Sequence, residues 1–154
     1  MSIASYLSEQ PYFSGLNEHQ REQLQACAGE RAFTEGEYLL RQGDEADAFY
    51  LIIKGRVEIK TPATEVAMAP IETLSAGDSL GWSWFIPPYR WHFDAVAREA
   101  VWAIRMDAKC LRELMESDYQ VGYNILSELV RVMAHRIESS RLRIVDIYGH
   151  ARAE

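Results

Sequence analysis

At 154 residues, 48% of them hydrophobic and 25% charged, the chain has one domain's length and enough apolar residues for an ordinary core. A formal net charge of −7 argues against nucleic acid as a whole-surface partner. No apolar run approaches the roughly 18 residues of a membrane span, and Met1–Gln10 has neither a basic region nor a signal core, so a cytoplasmic location without membrane contact is expected. Cys27 and Cys110 stand far apart and outside any paired-cysteine motif, which reads as two buried thiols rather than a disulfide or a metal site.

Residues 5–29 read as short helices covering a core edge. Asn17 is a good N-cap with Gln20 placed for a capping box, and Gly29 ends the segment. From Arg31 the period changes to strands, at 31–34, 38–41, 48–53, 56–60 and 71–74, with a longer hairpin loop over 61–70. Gly36, Gly43 and Gly55 mark the turns between them. Residues 93–98 and 101–106 supply the last two strands. Short, closely spaced strands with glycine turns predict an antiparallel jelly-roll barrel. Asp107 then caps a helix through Glu116, and Ser117-Asp118-Tyr119-Gln120 opens a long helix reaching Tyr148-Gly149. The whole is expected as one domain, 1–154: a helical cover over 1–30, the barrel over 31–106 and C-terminal helices over 107–149.

The long helix carries two apolar stripes. Tyr123, Leu126, Val130, Met133, Ile137, Ser140, Ile144 and Ile147 alternate three and four apart, as in a coiled-coil seam. Ile125, Leu129 and Val132 form a neighbouring stripe that faces the barrel. Two stripes want two partners, the helix's own domain and a second copy of the chain, the alternative being a single broad stripe folded back on the barrel.

Between the strands lies the stretch from Gly77 to Ala95, which holds three of the four tryptophans. Loops with this much aromatic mass close over something or pack into something. Backbone amides around Gly81–Ser83, the Ser83 hydroxyl and the Arg90 guanidinium together suit a phosphate or carboxylate. Trp82, Trp84, Trp91 and His92 supply ring faces beside them.

Phe13-Ser14-Gly15-Leu16, Glu35-Gly36-Glu37, Arg41-Gln42-Gly43-Asp44, Asp47-Ala48-Phe49-Tyr50-Leu51-Ile52, Lys54-Gly55-Arg56-Val57-Glu58 and Leu74-Ser75-Ala76-Gly77-Asp78-Ser79-Leu80-Gly81 follow one another in the order of a known domain. The chain resembles, over residues 13–149, the cyclic-nucleotide-binding domain of the catabolite-activator and fumarate–nitrate-regulator superfamily. The resemblance implies a phosphate-binding cassette after Gly81, and there the chain departs from the pattern. The family's ribose-binding glutamate is replaced by Trp82, whose indole donates but does not accept. Arg90 falls one position early and is followed by the bulky Trp91 and His92. The family's transcription factors continue into a helix-turn-helix; here only His150 to Glu154 follow, so no direct DNA reading is expected.

The sequence is compatible with three functions. One is a stand-alone, dimeric sensing module for a small anionic ligand, nucleotide-like but not tightly held cyclic AMP, using Gly81, Trp82, Ser83, Trp84, Arg90, Trp91 and His92 as its ligand-binding residues. In the second, the pocket is degenerate, the tryptophans fill it, Arg90 pairs with Asp94, and the domain serves to bind a partner protein or to dimerise. The third, a small jelly-roll enzyme, finds no support in His19, His92, His135 and His150, which have no metal-ligand spacing, and no resident cofactor or catalytic residue is expected.

Overall fold

The computed structural model describes residues 2–61 and 72–153, with side chains described as far as Ser139. Most of the expected 61–70 loop, with Ile71, lies outside the described residues, as do the side chains of Ser140, Ile144 and Ile147 in the expected seam.

The amino-terminal cover consists of helix α1 (Ile3–Glu9), a 3-10 turn (Pro11–Phe13) and helix α2 (Glu18–Ala26). The Asn17 carboxamide accepts the Gln20 N–H and the Gln20 side chain accepts the Asn17 N–H, so the capping box forms as the sequence suggests. Gly29 does not end this region. It lies inside strand β1 (Ala28–Phe33), opposite Arg105, because the antiparallel ladder with the last strand starts three residues earlier than the β-rich composition does.

Among the described residues seven further strands follow: β2 (Tyr38–Leu40), β3 (Ala48–Lys54), β4 (Val57–Lys60), β5 (Glu72–Leu74), β6 (Ser79–Leu80), β7 (Asp94–Ala97) and β8 (Val101–Asp107). They form two antiparallel four-stranded sheets, in the orders β1-β8-β3-β6 and β2-β7-β4-β5. The antiparallel, strand-rich architecture is as expected, while the described strands pair as two separate sheets rather than as one closed barrel. Strand β3 is buried over five consecutive residues instead of alternating. Tyr12 meets Phe49 edge-on at 5.2 Å, and the Tyr6 hydroxyl donates to the Ile52 carbonyl, so the amino-terminal cover packs along this strand. Gly36, Gly43, Gly55 and Gly77 all have φ between 89° and 103°. Gly55 shows why the residue type matters: a Cβ there would lie 2.5 Å from the Ala100 carbonyl oxygen.

Helix α3 (Ala108–Ser117) is capped by Asp107, whose carboxylate accepts the Cys110 N–H. Helix α4 (Tyr119–Ala153) is 35 residues long. Its start is served by Asp118 rather than by Ser117: the Asp118 carboxylate accepts the Gln120 and Val121 N–H groups, while the Ser117 hydroxyl turns back to the Leu114 carbonyl. Val121, Ile125 and Leu129 are buried and Val132 is half-buried, so the expected barrel-side stripe does face the domain. Along the expected seam, Tyr123 is 74% exposed, Val130 66% and Ile137 56%, whereas Leu126 and Met133 are half-buried.

The two cysteines are joined. Cys27, which caps the end of α2, forms a disulfide with Cys110 in α3 across a sequence separation of 83 residues. The expectation of two free thiols is therefore corrected. The ladder between β1 and β8 ends at Ala28 and Met106, one residue after Cys27 and four before Cys110, which brings the ends of α2 and β8 together. Spacing along the chain carries no trace of that closure.

Candidate functional site

The aromatic stretch is built on backbone. Residues 89–91 run beside 43–46: the Ala46 N–H donates to the Tyr89 carbonyl, the Trp91 N–H to the Asp44 carbonyl, and the Gly43 N–H to the Trp91 carbonyl. The Arg112 guanidinium, from α3, donates to the Trp84 carbonyl at 2.6 Å and lies 4.1 Å above the Tyr89 ring. Tyr89 is held at a φ of 57°, a region non-glycine residues enter at a cost. The loop is thus fastened to the β2–β3 connection on one side and to a helix on the other.

Its aromatic rings divide into two sets. Trp84 is fully buried, 4.9 Å from Phe49 and 5.7 Å from Phe85, and Trp91 is buried 6.0 Å from Phe93. These two rings are core, not open platforms. The Trp84 Nε1–H has no hydrogen-bond partner among the described residues. Trp82 is half-buried and stacks on the exposed His92 at 5.1 Å, while the buried Ser83 hydroxyl lies 3.0 Å from His92 Nδ1.

A cavity of about 960 Å³ lies between this loop, β4–β5 and α4. The loop side contributes Gly81, Trp82, Phe85 and Phe93, and the helix side Leu126, Leu129, Val130, Met133 and Ile137. Gly81 has a φ of 64°, and a Cβ on it would stand 3.0 Å from Trp91 Cζ3 and 3.2 Å from Phe93 Cζ. Only glycine lets the chain turn so close to those rings. The cavity opens toward solvent along exposed residues of the helix. A smaller hollow of about 330 Å³ adjoins it across Phe85 and Leu126, beneath Tyr119 and Tyr123.

Of the seven residues expected to bind ligand, the structure brings Gly81 and Trp82 to the cavity wall. Ser83, Trp84, Arg90, Trp91 and His92 are not among its lining. Arg90 is exposed, pairs through its backbone with Glu45, and its guanidinium has no hydrogen bond or ion pair among the described residues. The alternative pairing with Asp94 is absent: the Asp94 carboxylate accepts the Gln42 N–H at 2.7 Å. The cation that does line the cavity is Arg136 of α4, which sequence reasoning missed. It donates to the Ser79 carbonyl at 2.6 Å and has its Nε 3.6 Å from a Glu72 carboxylate oxygen. Arg136 follows His135 between Met133 and Ile137, and nothing local in the sequence marks it as facing a cavity.

Beneath this cation, the Tyr12 hydroxyl and the Ser79 hydroxyl are 2.7 Å apart in the core. Burial raises the Tyr12 pKa above its ordinary 10.0, against the smaller lowering effect of the Ser79 hydrogen bond, so the phenol stays neutral. No group of three or more His, Cys, Asp or Glu able to hold a metal ion occurs among the described residues.

Comparison with known proteins agrees with this geometry. The family model of the cyclic nucleotide-binding domain matches residues 30–118. A cAMP-dependent protein kinase regulatory subunit from Emericella nidulans is 31% identical over 77 residues, half of this chain and 18% of that protein. Glutaminase 1 of Bradyrhizobium diazoefficiens is 28% identical over 131 residues, 85% of this chain and 21% of that protein. The chain thus spans about a fifth of the length of these curated relatives. Among solved structures, a protein from Geobacter metallireducens described as cyclic nucleotide-binding shares the fold with a TM-score of 0.77 and 21% identity, over 89% of this chain and 99% of that one. The sensor domain of the transcriptional regulator DNR from Pseudomonas aeruginosa superposes with a TM-score of 0.70 at 21% identity, covering 86% and 94% of the two chains. With the model matched across more than half its length and the glycine turns, sheets and long helix all in place, the chain belongs to the cyclic nucleotide-binding domain family.

Proposed function

We propose that the protein is a ligand-sensing regulatory module that takes a small anionic molecule into the cavity between the aromatic loop and α4. The observation that carries this reading is the open volume itself. About 960 Å³ remains free beside Trp82, while Trp84 and Trp91 pack into the core behind the wall. That size is typical of small-molecule sites. An occupant would touch the loop and the long helix at once, the arrangement a sensor needs to convert binding into a change of helix position. Regulatory subunits and sensor domains among the relatives support a regulatory rather than catalytic role. Cyclic AMP is a poor candidate, because Trp82 supplies no acceptor for a ribose hydroxyl. Losing one charge-assisted hydrogen bond weakens binding by roughly tenfold to a hundredfold.

The same helix favours a homodimer as the working form. Leu126, Val130, Met133 and Ile137 both belong to the seam and line the cavity, so a parallel partner helix would cover the opening. A thermal-shift screen of small organic anions tests the sensing reading, run on the wild type beside Ala134→Trp, which fills the cavity from the helix side. Ligands that raise the melting temperature of the wild type alone support it. A screen without any such ligand, for a chain that sediments as a dimer and loses that dimer on Met133→Glu with Ile137→Glu, favours the dimerisation module instead.

A further inference from the structure

The cavity is chemically one-sided. Rings and aliphatic chains make up most of its lining, and its polar side chains among the described residues are Thr61, Glu72 and Arg136. Ribose and phosphate would have to bury many polar atoms against this wall with few partners, which disfavours any nucleotide. One cation against an apolar wall suits a different shape of molecule, apolar along its body and charged at one end.

Arg136 is set up to receive that charge. Its guanidinium is steered by the Ser79 carbonyl from the floor, and its other neighbour is the Glu72 carboxylate at 3.6 Å. The side chains of Arg136 and Glu72 are 24% and 39% exposed, so their pairing contributes little in the solvent-screened rim. A carboxylate arriving from the cavity would replace one weak anionic partner by another, with better geometry, because a guanidinium takes a carboxylate through two parallel hydrogen bonds. The Ser79 contact need not break for this exchange.

We infer that the cavity binds a hydrophobic monocarboxylate, with its body between Trp82, Phe93, Leu129 and Met133 and its carboxylate on Arg136 in place of Glu72. This rests on the ligand-sensing reading above and names the class of its ligand. It also moves the anion anchor from the loop to the long helix.

Titration calorimetry on the full chain with dodecanoate, dodecanol and cyclic AMP tests the inference. The wild type binds dodecanoate saturably and at least tenfold more tightly than dodecanol. Arg136→Gln abolishes that difference while leaving dodecanol binding in place. Glu72→Gln, which removes the competing carboxylate and keeps Arg136, tightens dodecanoate several-fold, and gives an independent answer if Arg136→Gln does not fold. Ala134→Trp weakens both lipids. Equal affinity for dodecanoate and dodecanol in the wild type overturns the inference, as does a Glu72→Gln protein that binds dodecanoate no more tightly than the wild type. Saturable binding of cyclic AMP without dodecanoate overturns the inference and leaves the sensing role standing. Binding of none of the three overturns the inference and counts against the sensing role as well.

Discussion

Reduction of the Cys27–Cys110 bridge is expected to lower stability by an amount that follows from the chain length it closes. The cysteines are 83 residues apart. Closing a loop of that length removes about 15 cal/mol/K of entropy from the unfolded chain, or about 4.5 kcal/mol at 25 °C. For a protein of this size each kcal/mol moves the melting temperature by roughly 2–4 °C, so reduction should lower it by about 9–18 °C. The native fold should survive, because Asp107 still caps α3 and the β1–β8 ladder still joins the two ends. The assay is a pair of calorimetric melts with and without a phosphine reductant, backed by the double variant Cys27→Ala, Cys110→Ala, which leaves no thiol to re-form the bridge. Guanidinium titrations should also give a larger m-value for the reduced protein, since its unfolded chain exposes more surface. Reduced and oxidised forms melting within about 2 °C of each other would refute the loop-closure reasoning.

Other perturbations separate core from site. Trp84→Ala should cost about 3–5 kcal/mol in chemical denaturation, while Trp84→Phe should cost distinctly less, because it removes the unpartnered buried Nε1–H along with part of the ring. Gly81→Ala should destabilise the fold by at least about 1 kcal/mol and change Trp fluorescence, since its methyl group meets Trp91 and Phe93. Arg90→Ala should leave stability within about 0.5 kcal/mol of wild type, because its guanidinium has no partner among the described residues; loss of ligand binding in that variant would return Arg90 to the site. Asp118 has its pKa held below the ordinary 3.8, chiefly by the hydrogen bond from Gln20. Its contribution is therefore present above the unfolded-state pKa and lost as pH falls through the lower folded value, so Asp118→Asn should flatten the acid limb of the stability profile below about pH 4. An acid limb identical to wild type would show that the carboxylate does not act there.

What could be read from the sequence had a local cause. Gly36, Gly43, Gly55 and Gly77 mark turns because the backbone there needs positive φ, and that need shows at a single position. Asn17, Gln20 and Asp107 announce helix starts because a cap binds within three residues. The two-residue strand β6 was missed, having too few residues to show a period. The disulfide stayed hidden because it depends on a ladder between strands at opposite ends of the sheet-forming region, which brings together cysteines 83 residues apart. The candidate site was half legible for the same reason. Gly81 and Trp82 were found through their loop, but Trp84 and Trp91 could not be told from open platforms, since an aromatic cluster has the same composition whichever way its rings turn. Arg136 lies far along the chain from the loop it faces, and one charge among several on a helix normally reads as solvated.

Gln20 has a second duty. While its side-chain oxygen completes the α2 capping box, its amide nitrogen donates to the Asp118 carboxylate and to the Gln120 side chain at the start of α4. The far end of α2 is bolted to α3 through Cys27. A nine-residue helix is therefore fixed at one end by a covalent pin and at the other by a polar hinge on the root of the longest element. A tilt of that long arm would pull on the hinge while the pin holds, and α2 would then be twisted between its two fixed ends. Displacement that begins at the cavity should then be readable on the opposite flank, where a spin label on the exposed Glu22 would report it without touching the cavity.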